Sequence, residues 1–211
     1  MRNLIPSFLI HFITPLIVVL LCLLGLVWVD VWQYSRVAVE QGQWWGLISG
    51  HFAHGNVAHT VMNSLGLLLA TLLAPVWMNR WPGLPLLLVM NFLLGVAIYV
   101  VEPDVAVYRG LSGTLHGWVL LAVILSPQFR PLWKWFMVLL IVGKVGWEQW
   151  VGHSSSTPIY LGNLEGTVLT EAHAYGAMIG AIIGTLVALS AWLFPHLRRL
   201  GLRQESLRRI R

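Results

Sequence analysis

The chain has 211 residues, of which 57% are hydrophobic and 10% are charged, and its mean hydropathy is +0.75. Soluble domains carry about 25% charged residues, so this composition excludes an ordinary soluble domain and indicates an integral membrane protein. The single cysteine, Cys22, excludes an internal disulfide. The net charge of +5 would suit nucleic acid by itself, but the positions of the basic residues favour a different interpretation.

Six apolar runs follow one another along the chain, and each approaches the ~20 residues that a helix needs to cross a bilayer. They lie at 11–29, 57–77, 84–102, 112–126, 131–150 and 168–195. The first, PLIVVLLCLLGLVWV, has no charge and no small-residue cleavage site, so we interpret it as a retained helix rather than a signal peptide. The sequence predicts an all-α membrane protein in which residues 1–211 form one domain of six transmembrane helices.

The lysines and arginines predict the orientation of this bundle. If the N-terminus is cytoplasmic, ten of them face the cytoplasm and two face outward, as the positive-inside rule requires. The ten are Arg2, Arg80, Arg130, Lys134, Arg198, Arg199, Arg203, Arg208, Arg209 and Arg211, and the two are Arg36 and Arg109. Both termini are then cytoplasmic, and we expect the basic tail, 197–211, to meet anionic lipid headgroups rather than nucleic acid.

Polar side chains cluster near the outer ends of predicted spans two, four and six. With 1.5 Å of rise per residue, all of them lie within roughly 10 Å of those ends. They are His59 and Asn63 on span two, Ser112 and His116 on span four, and Glu171 and His173 on span six. A single histidine in such a helix is commonly a packed structural residue, but polar groups inside a bilayer usually face the bundle interior or a water-filled cavity. Their agreement in depth predicts a shared site.

Serine and histidine at one depth are typical of acyl-transfer chemistry. A serine hydroxyl needs a base to remove its proton, and a neutral histidine is the usual base near pH 7. An asparagine amide, a histidine N–H and a backbone N–H can stabilise the oxyanion that forms. Small residues at four-residue spacing let helix backbones approach closely, and spans four and six carry them. These are Gly113 and Gly117 on one helix and Gly176, Gly180 and Gly184 on the other, which would bring Ser112 and His173 within reach.

With these motifs in order, the chain resembles the rhomboid family of intramembrane serine proteases. GLSG (110–113) resembles the family's nucleophile motif, with Ser112 between Gly110 and Gly113, and AHAYGAMIG (172–180) resembles the motif of its general base, His173. HFAHGNVAHTVMN (51–63) resembles the second-helix pattern. The resemblance implies that His59 and Asn63 stabilise the oxyanion together with the Ser112 backbone, and that His54 is structural. It also implies a six-helix rhomboid-like bundle.

The run RGLSGTLHG, with EAH before the base, is similar to the rhombosortase subgroup. Many rhomboids place a tyrosine under the catalytic histidine where this chain has His116, so His116 is expected either to stack on or bond His173, or to be a buried histidine satisfied by a neighbouring helix. The resemblance implies cleavage of a membrane-anchored protein near the outer face, at a C-terminal Gly-Gly-type anchor. It also implies a bacterial inner membrane with the active site toward the periplasm, and a loop at 153–166 that covers the site.

The remaining charged residues near the site have several possible roles. Glu171 is two residues before His173 and so points about 200° away around the helix, which predicts a Ser–His dyad without an acidic partner. Glu171 then caps the helix, binds a loop or shapes the substrate cleft. Arg109 either positions substrate or pairs with Glu102 or Asp104. Lys144 and Glu148, four apart on span five, are expected to form an ion pair.

Other functions compete with serine proteolysis for the same residues. A general rhomboid protease with other single-span substrates needs the same residues. A metal carrier or metalloprotease could use a set of imidazoles and a carboxylate, but no H-E-x-x-H motif is present and Ser112 would be unexplained. That set is His51, His54, His59, His116, His173 and Glu171. An inactive rhomboid-like protein is disfavoured because Ser112 and His173 are both present. The sequence predicts no cofactor and no metal.

Overall fold

The computed structural model describes residues 12–152 and 169–193. Arg2, the loop at 153–166 and the basic tail at 197–211 lie outside the described residues. The helices, in chain order, are α1 (Ile13–Val27), α2 (Val29–Trp32), α3 (Arg36–Glu40), α4 (Gly46–Ser49), α5 (Val57–Leu73), α6 (Val76–Asn79), α7 (Gly83–Val101), α8 (Ser112–Leu125), α9 (Pro131–Gly152) and α10 (Thr170–Leu193). Two short strands, β1 (Tyr34–Ser35) and β2 (Val107–Tyr108), pair antiparallel.

The six longest described helices, α1, α5, α7, α8, α9 and α10, coincide with the six apolar runs of the sequence. The helix α5 ends at Leu73 rather than near 77, because Ala74 is extended at ψ 143° immediately before Pro75 and a residue before proline disfavours the helical conformation. In the described ranges, α7 and α10 are long and apolar enough to cross a membrane by themselves, and α1, α5 and α8 are apolar but shorter. The number of spans and the orientation of the termini stay predictions.

The main hydrophobic core lies between α1, α5, α7 and α8. Trp118 of α8, Leu67 of α5 and Leu87 of α7 are among its fully buried side chains. A buried hydrogen bond from Thr114 Oγ1 to Asn91 Oδ1, 2.7 Å long, joins α8 to α7. These contacts fix α8, whose first residue is Ser112, in the middle of the bundle.

The helices α8 and α10 touch through their backbones. A Cβ atom built on Gly117 would lie 2.1 Å from Gly176 O, and one on Gly176 would lie 1.9 Å from Gly113 O. A Cβ on Gly180 would lie 2.1 Å from Gly117 O. No side chain fits at such distances, so the glycine spacing read from the sequence is what allows this close approach.

Candidate active site

Ser112 is presented by a turn that requires glycine. Gly110 has φ +114°, which side-chain-bearing residues rarely adopt, and a Cβ there would lie 2.8 Å from His59 Nε2. The Gly110 N–H donates to Gly50 O at 3.1 Å, and the Tyr108 hydroxyl donates to Gly110 O at 2.9 Å. The chain therefore enters α8 in a fixed conformation, with Ser112 at the first helical position.

The hydroxyl of Ser112 meets the imidazole of His173. Ser112 Oγ lies 3.0 Å from His173 Nε2, and His173 is 5% exposed. His173 stands in the first turns of α10, next to Ala172, whose carbonyl O would be 2.8 Å from a Cβ on Gly113. The distance agrees with the prediction that the glycine faces bring these two side chains together.

His173 also has a carboxylate partner, Glu148 of α9. Its Oε2 lies 2.9 Å from His173 Nδ1, so the expectation that no acidic residue contacts His173 is wrong. Glu148 lies on span five, outside the outer ends of spans two, four and six where the other polar residues cluster, and its i,i+4 spacing from Lys144 predicts an ion pair. A carboxylate in an apolar helix usually faces the interior of the bundle or a water-filled cavity. This rule, applied to span five, would have identified Glu148 as a candidate site residue.

Glu148 and Lys144 form the expected ion pair, with Lys144 Nζ 2.7 Å from Glu148 Oε1. The same ammonium group donates to His116 Nε2, and His116 Nδ1 lies 2.7 Å from Ser112 O. Five residues therefore form a closed ring of hydrogen bonds, which runs Ser112, His173, Glu148, Lys144, His116 and back to Ser112. Since a carboxylate and a carbonyl only accept, both histidines donate from Nδ1 and both present an accepting Nε2.

His116 makes contacts of both kinds considered for it, although its side chain is half-buried rather than buried. Its ring is stacked on His173, with centroids 4.2 Å apart and planes inclined by 23°. It is also satisfied by a neighbouring helix through Lys144 of α9. The stack limits tilting of the His173 ring, while the hydrogen bonds limit rotation of His116.

The other side of Ser112 is lined by groups from α5 and the segment before it. Asn56 caps α5 by accepting from the His59 N–H at 2.8 Å. Asn63 Nδ2 donates to His54 Nε2 at 2.9 Å, and His54 Nδ1 donates to Phe52 O at 2.8 Å. Burial, assisted by the nearby His59, lowers the pKa of His54 to about 4, so His54 stays neutral and can accept from Asn63. One Asn63 N–H is thus held while the other is free to donate.

A groove of about 370 Å³ opens beside Ser112 between α5, α8 and α9. Asn63, Ser112, His116 and Lys144 supply its polar groups, and leucine, isoleucine and valine side chains line the rest. The candidate oxyanion donor and the candidate nucleophile therefore face one space, which an apolar peptide segment can occupy.

Two further charged residues lie at the edge of the site. Arg109 Nε donates to Gln33 Oε1 at 2.6 Å. Of the two alternatives for Arg109, the ion pair with Glu102 or Asp104 is not found among the described residues, and a role in positioning substrate stays a prediction. Glu102 instead accepts from the hydroxyl of Tyr175. Glu171 lies in the first turn of α10, where its Oε2 accepts from the Thr170 hydroxyl at 3.4 Å.

The residue types that could hold a metal ion also converge at this site. In the described ranges, His116, Glu148 and His173 offer ligand atoms within 4.8 Å of one another. The other histidines considered for metal binding, His51, His54 and His59, and also Glu171, do not belong to this group. The ammonium of Lys144 already contacts His116 and Glu148. It therefore supplies the positive charge that a metal ion would otherwise provide to balance the Glu148 carboxylate.

Comparison with known proteins adds one match. A family model described as Rhomboid domain matches residues 41–190 of the chain, which include Asn63, Ser112, Glu148 and His173. No curated protein matches the chain.

Proposed function

Because the chain belongs to the rhomboid family of intramembrane proteases, we propose that it is an intramembrane serine protease with Ser112 as nucleophile and His173 as general base. The observation that carries this proposal is the 3.0 Å separation of Ser112 Oγ and His173 Nε2 inside a mostly apolar helix bundle. A serine hydroxyl and an imidazole at this distance are the minimum required for nucleophilic acyl transfer.

The proposed reaction begins when His173 Nε2 accepts the Ser112 hydroxyl proton. Ser112 Oγ bonds to the scissile carbonyl carbon, and the carbonyl π electrons move to its oxygen. The oxyanion then re-forms the carbonyl, the C–N bond breaks, and His173 gives its proton to the leaving amine. Water repeats the sequence on the acyl-enzyme, releasing the new carboxylate and restoring Ser112.

We assign stabilisation of the oxyanion to Asn63, His59 and the backbone N–H of Ser112. The Asn63 amide is held by His54 and shares the groove with Ser112. A Cβ on Gly110 would lie 2.8 Å from His59 Nε2 and 3.5 Å from Asn63 Nδ2, so both donors border the serine turn. Each donor of this kind contributes about 10²- to 10³-fold to turnover in other serine proteases.

The substrate in this proposal is a membrane-anchored protein that is cut near the outer membrane face. The apolar groove beside Ser112 supports a substrate segment that leaves the lipid, and the RGLSGTLHG motif supports a rhombosortase-type substrate with a C-terminal Gly-Gly anchor. The protein would then act in a bacterial inner membrane through six spans, with cytoplasmic termini and a periplasmic site. Co-expression with a Gly-Gly-anchored protein, followed by mass spectrometry of the new C-terminus, tests this substrate against other single-span proteins.

The nucleophile is tested by labelling the membrane-embedded protein with a serine-directed fluorophosphonate. We expect the wild type to be labelled and Ser112→Ala to show neither labelling nor cleavage, since the hydroxyl that the probe phosphonylates and the substrate acylates is then absent. His173→Ala should slow labelling by at least about 10²-fold, the usual contribution of a general base. Labelling that persists in Ser112→Ala would refute the assignment.

One observation favours a second candidate function, metal binding, because His116, Glu148 and His173 converge. Proteolysis that a chelator abolishes and zinc restores would favour this alternative. A folded wild type that neither labels nor cleaves would instead favour an inactive rhomboid-like protein.

A further inference from the structure

We propose that Glu148 is a positioning residue for His173, so that the site works as a Ser112–His173–Glu148 triad in which Lys144 holds the carboxylate. This inference rests on the proposed protease function and adds a third member from a helix that carries neither the nucleophile nor the base. The first observation behind it is the 2.9 Å contact between Glu148 Oε2 and His173 Nδ1.

The contact selects one tautomer of the His173 imidazole. An ionised carboxylate only accepts hydrogen bonds, so the proton of a neutral His173 must sit on Nδ1. Nε2 then carries the lone pair, and Nε2 is the atom 3.0 Å from Ser112 Oγ. With the other tautomer, the ring would present N–H to Ser112 and could not accept its proton.

The same carboxylate stabilises the charge that develops on His173. When Nε2 takes the Ser112 proton the ring becomes an imidazolium, and the negative charge at Nδ1 favours that state without itself becoming protonated. His173 is 5% exposed and the Glu148 side chain is 24% exposed, so little water competes for the contact. Glu171 carries the same charge on the same helix as His173, but its described partner is the Thr170 hydroxyl.

Lys144 divides the two oxygens of Glu148 between two partners. Its ammonium lies 2.7 Å from Oε1, which leaves Oε2 for the ring of His173. A carboxylate in a largely apolar setting is costly without a compensating cation, and Lys144 supplies that cation. The ammonium also reaches His116, so one group aligns both rings that form the stack.

The place of Glu148 in the fold makes the triad depend on the position of α9. Within 131–151, Val145 is the one buried residue, and a Cβ on Gly143 or Gly146 would meet no atom within 4 Å. The docking of α9 combines a small apolar cluster, formed by Val145 with Leu120 of α8 and Ala177 of α10, with polar contacts. Besides the contacts of Lys144 and Glu148, Gln149 Nε2 donates to Thr170 O at 2.8 Å and Lys134 Nζ donates to Ile124 O at 2.9 Å. Displacement of α9 would separate Glu148 from His173 while leaving Ser112 and His173 together.

The inference is tested with four variants, Glu148→Gln, Glu148→Asp, Lys144→Met and Glu40→Gln, each compared with wild type and Ser112→Ala. The Glu40→Gln variant is the matched control, because it neutralises the carboxylate of another i,i+4 ion pair, Arg36–Glu40, on α3. The measurements are kcat and KM for cleavage, the rate of fluorophosphonate labelling per folded molecule, and the thermal unfolding midpoint.

We expect Glu148→Gln to lower kcat by about 10²- to 10⁴-fold, as loss of the acidic triad member does in serine proteases, with KM within about threefold because ground-state binding is untouched. Glu148→Asp keeps the negative charge, so its kcat should be at least about tenfold higher than that of Glu148→Gln, since a carboxylate again contacts His173 Nδ1. Lys144→Met should lower kcat by at most about tenfold. It removes the ammonium that holds Glu148 but leaves the contact between Glu148 and His173. Glu40→Gln should behave as wild type.

A purely structural ion pair gives a different pattern. Glu148→Gln and Lys144→Met would then lose activity equally and in parallel with their unfolding midpoints, and that result would overturn the inference. A Glu148→Gln kcat within about threefold of wild type would overturn it as well. If Ser112→Ala retained activity, both the proposed function and the inference would be refuted. If Ser112→Ala were inactive and Glu148→Gln fully active, only the inference would be refuted.

Discussion

Two interfaces of the bundle build the site in different ways. At the α8–α10 interface, which brings Ser112 and His173 together, backbone packs on backbone through Gly113, Gly117 and Gly176. At the interface of α9 with the same two helices, Gly143 and Gly146 make no such backbone contact. A small apolar cluster of Leu120, Val145 and Ala177 packs there, and long polar side chains reach across. The first interface fixes the distance between Ser112 and His173 by backbone contact, whereas hydrogen bonds at the second fix the positions of Lys144 and Glu148.

The difference follows from the membrane as solvent. Lipid tails are as apolar as leucine, so helices in a bilayer associate through close packing of small residues and through hydrogen bonds rather than through hydrophobic burial. The α8–α10 interface relies on close packing of glycines, and α9 adds side-chain hydrogen bonds to a small apolar contact. The apolar side chains on the outside of α9, among them Trp147 and Trp150, are suited to lipid contact. The comparison predicts that the same substitution has unequal effects at the two interfaces.

The largest effect should come from Gly176→Ala. The new Cβ would lie 1.9 Å from Gly113 O, and because a backbone carbonyl cannot step aside, the helices must separate. We expect the free energy of unfolding to fall by about 3 kcal/mol or more, which is at or above the largest loss that an overpacked core usually shows. We also expect about a 10²-fold loss of turnover as Ser112 and His173 move apart. Unfolding in mixed micelles and cleavage kinetics measure the two effects, and a stable, active variant would show that the interface can relax.

An intermediate effect is expected at His116, which lies between the two interfaces. His116→Ala removes the stack on His173 and should lower turnover about twofold to tenfold, the rate equivalent of one aromatic pair. His116→Tyr keeps an aromatic ring and should recover at least about half of the wild-type rate if stacking is the main contribution. Equal losses in the two variants would instead assign the role of His116 to its hydrogen bonds with Lys144 and Ser112.

The smallest effect should come from Gly143→Ala on α9, the matched control for Gly176→Ala. Apart from the neighbouring backbone of α9 itself, no atom lies within 4 Å of the added Cβ, and alanine favours a helix over glycine by up to about 1 kcal/mol. The free energy of unfolding should stay unchanged or rise slightly, and the cleavage rate should match wild type. A large loss of stability would mean that this face of α9 packs against another surface.

The sequence predicted those parts of the site that depend on local pattern. The apolar runs predicted the long helices, and Pro75 explains why α5 ends early. The four-residue glycine spacing predicted that Ser112 and His173 meet, and their 3.0 Å distance agrees with it. The i,i+4 spacing predicted the Lys144–Glu148 pair. Each of these inferences needs only the geometry of one helix or of two matching faces.

Contacts between residues that are far apart in the sequence could be identified only from the tertiary structure. Glu148 contacts His173 across 25 positions, and Arg109 contacts Gln33 across 76. Helical periodicity fixes which side of a helix a residue occupies, but it does not fix which neighbouring helix that side will face. The sequence by itself therefore determined the helices and the pairing of serine with histidine. Only the packing of α9 against α8 and α10 decided that a carboxylate and an ammonium complete the ring, because interhelical neighbours depend on rotation and tilt that local patterns do not encode.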